Sequence, residues 1–163
     1  MDLDLKLVSK EINEIMWREC KTLATAESCT AGRIASVITA VPGSSNYYKG
    51  GLVCYADEVK ENLLGVDPKV IEEQTPVCEE VVRQMVIGAN KLFNTDYAVA
   101  ISGYAGVIVG TIWIAVGNAD HIETRMIEED NGRDKNLASA TNAAMHMLLD
   151  YIKGEEKPED AAE

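Results

Sequence analysis

Histidine is scarce in this sequence. His121 and His146 are the only two, and neither has a partner that can be named. HExxH is absent, as is the GxSxG elbow, so zinc-protease and α/β-hydrolase chemistries find no support. There is no GxGxxG and no Walker A loop, which removes the usual warrants for a nucleotide-dependent dehydrogenase or a kinase. The four cysteines, Cys20, Cys29, Cys54 and Cys78, form no CxxC pair and have no histidine cluster near them. Zinc and thioredoxin-type readings therefore fail on spacing, and free thiols in a reducing compartment are expected. No run is long and apolar enough to span a bilayer. The start, Met1-Asp2-Leu3-Asp4-Leu5-Lys6, is acidic and amphipathic and does not read as a signal peptide. A cytoplasmic protein without a membrane partner is expected. Positive charge is also short: 15 Lys and Arg stand against 27 Asp and Glu, a net charge of −12. A surface that acidic repels a phosphate backbone, so nucleic acid is disfavoured as a partner. A local basic spot can still hold one small phosphate.

What remains is an ordinary globular chain of 163 residues, enough for one compact domain with a real core. One α/β domain over residues 1–153 is expected, followed by an acidic disordered tail over 154–163. That tail holds five acids and one lysine and supplies −4 of the net charge. Leu5, Val8, Ile12, Ile15 and Met16 recur at helical spacing, which predicts a helix over about residues 4–20. Residues 22–26 read as a buried strand. A helix follows over 30–40, with Ser28 or Thr30 as its N-cap. Residues 51–55 read as a second strand. Asp57 is placed to cap a short helix that Gly65 stops, and Asp67-Pro68 opens another. Pro76 begins a long helix with Val77, Val81, Val82, Met85, Val86, Ala89 and Leu92 inward. Strands are expected over 96–102, 110–117 and 122–127, and a last helix over 134–152. Helices alternate with strands early and strands cluster late. That order predicts a three-layer α/β/α sandwich on a mixed, mostly parallel five-stranded sheet.

Hydroxyls, one tyrosine and one lysine gather in residues 25–60. Amide hydrolysis needs a nucleophile, a base to take its proton and an acid for the departing nitrogen. Ser45, Tyr55 and Lys60 are the residue types for that task where a lysine is partly desolvated. Tyr55 ends a strand and Lys60 lies on the next helix, so both can face a cleft at the carboxyl ends of the strands. On spacing alone the ordinary roles are the commoner ones: a turn serine, a rim aromatic and a solvated lysine. Glu27-Ser28-Cys29-Thr30-Ala31-Gly32 enters a helix, where exposed amides suit a phosphate or carboxylate; an N-cap with a close-packing glycine explains it as well. Ser102-Gly103-Tyr104-Ala105-Gly106 closes the third strand with small residues that admit a ligand or simply make a hairpin. Arg133, before the last helix, is able to clamp a phosphate or to be a surface arginine.

In order, several of these motifs resemble the CinA C-terminal domain family. They are Thr25-Ala26-Glu27-Ser28-Cys29-Thr30-Ala31-Gly32, Val41-Pro42-Gly43-Ser44-Ser45, Gly50-Gly51-Leu52-Val53-Cys54-Tyr55, Lys60, Leu64-Gly65-Val66 and Ile101-Ser102-Gly103-Tyr104-Ala105-Gly106. Gly110-Thr111-Ile112-Trp113-Ile114-Ala115 continues the match, so the resemblance covers roughly residues 5–152. It implies a three-layer α/β/α fold. It also implies nicotinamide-nucleotide amidohydrolase activity, which converts nicotinamide mononucleotide to nicotinic acid mononucleotide and ammonia. Ser45 is implied as nucleophile, activated by Tyr55 and Lys60. Ser28, Thr30, Ser102, Gly103 and Arg133 are expected to line the site or hold the nucleotide substrate, with no metal and no cofactor. A homodimer and a stand-alone form are expected.

The chain departs from the family pattern in five places. Ala31 replaces a glycine, Ser102 stands where threonine is common, Cys78 where serine precedes the long helix, and Leu137 where a basic residue is usual. Val107-Ile108-Val109 runs directly into Gly110, which shortens a loop bordering the site. A catalytically silent binding domain and an amidase with another substrate are the alternatives that the short loop leaves open.

Overall fold

The computed structural model describes residues 2–104 and 110–155. The expected loop after Tyr104 and the tail beyond Glu155 lie outside the described residues. Among the described residues, five strands and six helices follow one another: α1 (Leu3–Arg18), β1 (Leu23–Glu27), α2 (Arg33–Thr39), β2 (Tyr48–Val53), α3 (Asp57–Leu64), α4 (Pro68–Gln74), α5 (Glu79–Phe93), β3 (Tyr97–Tyr104), β4 (Gly110–Gly117), β5 (Ile122–Glu129) and α6 (Arg133–Glu155). A short 3-10 turn, Ser44–Asn46, precedes β2.

The strands form one sheet in the order β2-β1-β3-β4-β5. β1 pairs in parallel with both β2 and β3. The β3–β4 and β4–β5 pairings are antiparallel. The sheet is therefore mixed: β4 alone runs against the other four strands. The parallel half arises because each early crossover carries helix, which a parallel connection requires.

Side-chain size separates the two faces. Leu23, Val99, Ile101, Ile112, Ile114 and Val116 point to one face and pack against α1, α2 and α6. Ala26, Ala98, Ala100 and Ala115 point to the other, under α3 and α5. Alternation along each strand produces this division. The alanine face lets α5 lie close to the sheet, and α3 lies close to α5 in turn. A Cβ on Gly88 would come within 1.9 Å of the Leu64 carbonyl oxygen. Among the described residues, no helix is long and apolar enough to cross a membrane.

Several expected boundaries and roles shift. α1 starts at Leu3, where Asp2 accepts from the Leu5 N–H at 2.9 Å, and it ends at Arg18. α5 begins at Glu79, not at Pro76, because Cys78 holds an extended conformation as its N-cap. Leu92 is 48% exposed instead of inward. Asp57 is the first residue of α3, and no side chain caps that helix. β2 starts at Tyr48, three residues earlier than expected, and bulges after its first pair: Leu23 faces Tyr48, but Ala24 faces Gly50. α6 runs through Glu155, two residues into the segment expected as tail.

Candidate active site

The carboxyl ends of β1, β2 and β3 lie side by side, and the loops that leave them form a cleft of about 550 Å³. Open α/β sheets bind ligands at this edge. Ser28 and Cys29 follow β1; Tyr55, Asp57 and Lys60 follow β2; Ser102, Gly103 and Tyr104 come from the end of β3. Pro76 and Val77 close one wall, and Arg133 enters from the first residue of α6.

Lys60 is the most unusual side chain of the site. It is only 2% exposed, and its Nζ has two long contacts, 3.4 Å to the Tyr55 carbonyl oxygen and 3.4 Å to Asp57 Oδ1. Buried lysines are rare unless paired. Here the pairing is loose, and Asp57, the one carboxylate partner among the described residues, is half-exposed. The ammonium thus sits in a cleft with hydrogen-bonding capacity left for a ligand. With Arg133 it makes the cleft a locally cationic spot, opposed by Asp57, on a protein of strongly negative charge. That contrast concentrates an anionic group at the cleft while the rest of the surface repels it.

Glu27 builds the wall. Its side chain is 1% exposed and reaches forward over the loop into α2. Oε1 accepts from the Ile34 N–H at 2.8 Å and from Thr30 Oγ1 at 2.7 Å, and Oε2 accepts from the Ala35 N–H at 3.0 Å. α2 is therefore capped by a carboxylate seven residues upstream. The expected caps, Ser28 and Thr30, do not perform this role: the N-cap position is Gly32, and Thr30 donates to Glu27. The amides of Ile34 and Ala35 are occupied, so the phosphate seat expected at this helix start is filled by the protein itself. Thr30 is fully buried and does not line the cleft, because its hydroxyl is committed beneath it.

Ser28 lines the cleft, with its backbone N–H donating to the Ile101 carbonyl at 3.0 Å. Ser102 lines it too, and its Oγ donates to the Pro76 carbonyl oxygen at 2.9 Å. Gly103 allows β4 to approach, since a Cβ there would lie 2.5 Å from Ile112 Cγ1. Burial pushes the Cys29 thiol up to about 11, against a smaller opposite pull from Arg133. Burial does the same to Cys54, up to about 11, opposed by Lys60. Neither thiol is an available thiolate at neutral pH, which argues against cysteine nucleophiles.

Ser45, like Thr30, is an expected site residue that does not line the cleft. It is exposed in the 3-10 turn before β2, at the amino end of the strand. Tyr47, two residues on, accepts through its carbonyl from the Leu23 N–H at 2.9 Å where β1 begins. Tyr55 and Lys60 lie beyond the other end of the same strand. The five steps from Tyr48 to Val53 cover roughly 16 Å at about 3.3 Å per residue. One chain therefore brings Tyr55 and Lys60 to the cleft with Ser28, Ser102, Gly103 and Arg133, and leaves Ser45 at the opposite edge. The sequence reading missed Glu27, Asp57, Val77 and Tyr104 as parts of the site. Among the described residues, no group of three or more His, Cys, Asp or Glu side chains is placed to hold a metal ion.

Fold and cleft together define a three-layer α/β/α domain with a lysine-containing cleft at the carboxyl edge of a mixed sheet. Comparison with known proteins narrows that class. The chain belongs to the CinA C-terminal domain family, whose match spans residues 5–152. A CinA-like protein from Flavobacterium psychrophilum is 35% identical over 148 residues, covering 86% of this chain and 35% of that protein. One from Mycobacterium leprae is 43% identical over 137 residues, covering 78% and 32% respectively. The chain thus spans about a third of the length of the curated relatives it matches. The crystal structure of a competence-damaged protein (CinA) superfamily member from Klebsiella pneumoniae superimposes with a TM-score of 0.87. It is 29% identical, with 92% of this chain and 98% of that one covered.

Proposed function

We propose that this domain is an amidohydrolase of nicotinamide mononucleotide, releasing ammonia and nicotinic acid mononucleotide. The observation that carries the reading is the buried, loosely paired Lys60 in a cleft it shares with Tyr55, two serine hydroxyls and Arg133. A serine hydroxyl attacks the carboxamide carbon. Lys60 serves as the base that takes the hydroxyl proton and passes it to the departing nitrogen, so that ammonia leaves and an ester remains. Tyr55 stands beside this exchange and orients the amine. Water then hydrolyses the ester and restores the hydroxyl. Arg133 takes the phosphate as a bidentate partner. Asp57 faces the positive pyridinium ring.

The resemblance assigns the attacking hydroxyl to Ser45. Ser28 and Ser102 are the hydroxyls that one chain brings to the cleft. That separation favours one second reading, a nucleotide-binding domain without turnover. Incubation with nicotinamide mononucleotide separates the two, with ammonia and the acid product both quantified. Nicotinamide riboside, which lacks the phosphate, serves as the comparison. The amidohydrolase reading expects turnover of the nucleotide and a KM for the riboside raised about tenfold or more, the loss of one charge-assisted contact. Saturable binding of the nucleotide with no ammonia would replace it by the silent-domain reading.

A further inference from the structure

Ala98 and Ala100 of β3 lie on the sheet face that α5 covers. Alternation along the strand puts Ser102 and Tyr104 on the same face. The cross-strand register agrees: Ser102 stands opposite Trp113, which packs against that same alanine cluster. On this face the strand is therefore small until its last residue. α5 begins only at Glu79, and just ahead of it Ser102 Oγ donates to the Pro76 carbonyl oxygen at 2.9 Å. Tyr104 stands two residues beyond Ser102, roughly 7 Å farther along the strand. It is 52% exposed and lines the cleft. An aromatic ring at the wall of a concave site and half in water has a face left to stack on.

The cleft has two chemically different sides. Arg133 enters from α6, which packs on the opposite face of the sheet. Tyr104, Pro76 and Val77 belong to the side of α5, and Asp57 is the first residue of the neighbouring α3. A ligand that spans the cleft meets a cation on one side and an aromatic wall with a carboxylate on the other. We propose that Tyr104 is the platform on which a cationic aromatic ring stacks, and that it selects a charged pyridinium over an uncharged ring of the same shape. This rests on the amidohydrolase reading for the identity of the nucleotide. The face of a phenol ring carries negative charge density, so it attracts a cation lying over it, and two flat rings gain from offset stacking as well. Asp57 adds a second attraction for the same charge. Pro76 and Val77 keep water from part of this wall, which strengthens both attractions.

The test is equilibrium binding to the full chain by calorimetry. The probe is the acetylpyridine analogue of the mononucleotide, whose methyl ketone has no nitrogen to release. Its dihydro form, nearly as flat but with an uncharged ring, is the comparison. Wild type, Tyr104→Phe and Tyr104→Leu are measured, with folding checked by circular dichroism. Wild type is expected to bind the charged form at least about tenfold more tightly than the dihydro form, the size of a partly desolvated cation–π contact. Tyr104→Phe presents the same ring face and keeps that ratio within about threefold. Tyr104→Leu keeps apolar area without a ring, and the ratio falls about tenfold. A ratio that stays within about twofold of wild type in folded Tyr104→Leu overturns the proposal. So does a wild type that binds both forms alike or neither. Ammonia release from nicotinamide mononucleotide is followed beside the binding. A ratio that collapses in Tyr104→Leu while wild type releases no ammonia supports the platform and removes only the amidohydrolase reading. Ammonia release with an unmoved ratio removes only the platform.

Discussion

Replacing Glu27 by alanine removes one side chain and strands three donors. The Ile34 and Ala35 N–H groups and the Thr30 hydroxyl all point at this carboxylate, at 2.7 to 3.0 Å, in a place water reaches poorly. Hydrogen bonds to a charged group contribute about 1.5–3 kcal/mol each, and stranding a buried donor costs about 1–3 kcal/mol. The three are not additive, since the loop relaxes and the removed side chain leaves room for a water molecule. About 4 kcal/mol is the expected loss, a large part of the stability of a domain this size. Glu27→Gln keeps one acceptor oxygen for Ile34 and Thr30 but turns an amide N–H toward the Ala35 N–H, so about 2 kcal/mol is expected. Urea unfolding monitored by circular dichroism measures both through the midpoint, with an unchanged slope showing that the two-state reference holds. Because Glu27 fixes the loop that carries Ser28 and Cys29, Glu27→Gln should also weaken substrate affinity while the fold persists. A Glu27→Ala protein within about 1 kcal/mol of wild type would refute the assignment of this carboxylate as the cap of α2.

Other consequences are open to simple measurement. Gly88→Ala places a methyl group against the Leu64 carbonyl, so α3 and α5 must separate; a loss of about 2–3 kcal/mol in thermal unfolding is expected, and an unchanged Tm would mean the helices are not this close. The Tyr47 hydroxyl is buried and has no hydrogen-bond partner among the described residues, and burial raises its pKa. Tyr47→Phe should therefore be neutral or stabilising by up to about 1 kcal/mol, whereas a clear destabilisation would reveal an unseen partner. Cys20 is exposed, while Cys29 and Cys54 are buried with thiols raised to about 11. Iodoacetamide at pH 7.5 should modify Cys20 first, with Cys29 and Cys54 reacting only as the pH approaches their raised values or on unfolding; mass spectrometry showing equal early labelling would contradict the burial.

Much of the fold was legible because its signals are local. Leu5, Val8, Ile12, Ile15 and Met16 all lie in the core as their spacing requires, and β4 falls on the residues predicted for it. Gly65 ends α3 with a φ of 70°, as a helix-stopping glycine should. What escaped depends on distance. N-cap preferences act over two or three residues, so Ser28 and Thr30 looked adequate, and nothing local announces that Glu27 reaches Ile34 and Ala35. The start of β2 escaped because Lys49 and Gly50 have poor strand propensity, and pairing with β1 overrides it. Leu92 follows the inward period of α5 but lies near its end, where the sheet no longer covers it. The cleft was half legible. Tyr55, Lys60, Ser28, Ser102, Gly103 and Arg133 were expected together and do line one space. Ser45 was grouped with Tyr55 by closeness in sequence, yet an extended strand between two residues is what holds them farthest apart.

The central claim is that the buried lysine of the cleft performs the proton transfers of amide hydrolysis. Ammonia release from nicotinamide mononucleotide by wild type and by Lys60→Ala tests it most directly, with folding of the variant checked by circular dichroism. A fall in kcat of at least ~10³-fold in a folded Lys60→Ala protein is the predicted result. A folded Lys60→Ala protein that retains kcat within about tenfold of wild type would contradict it.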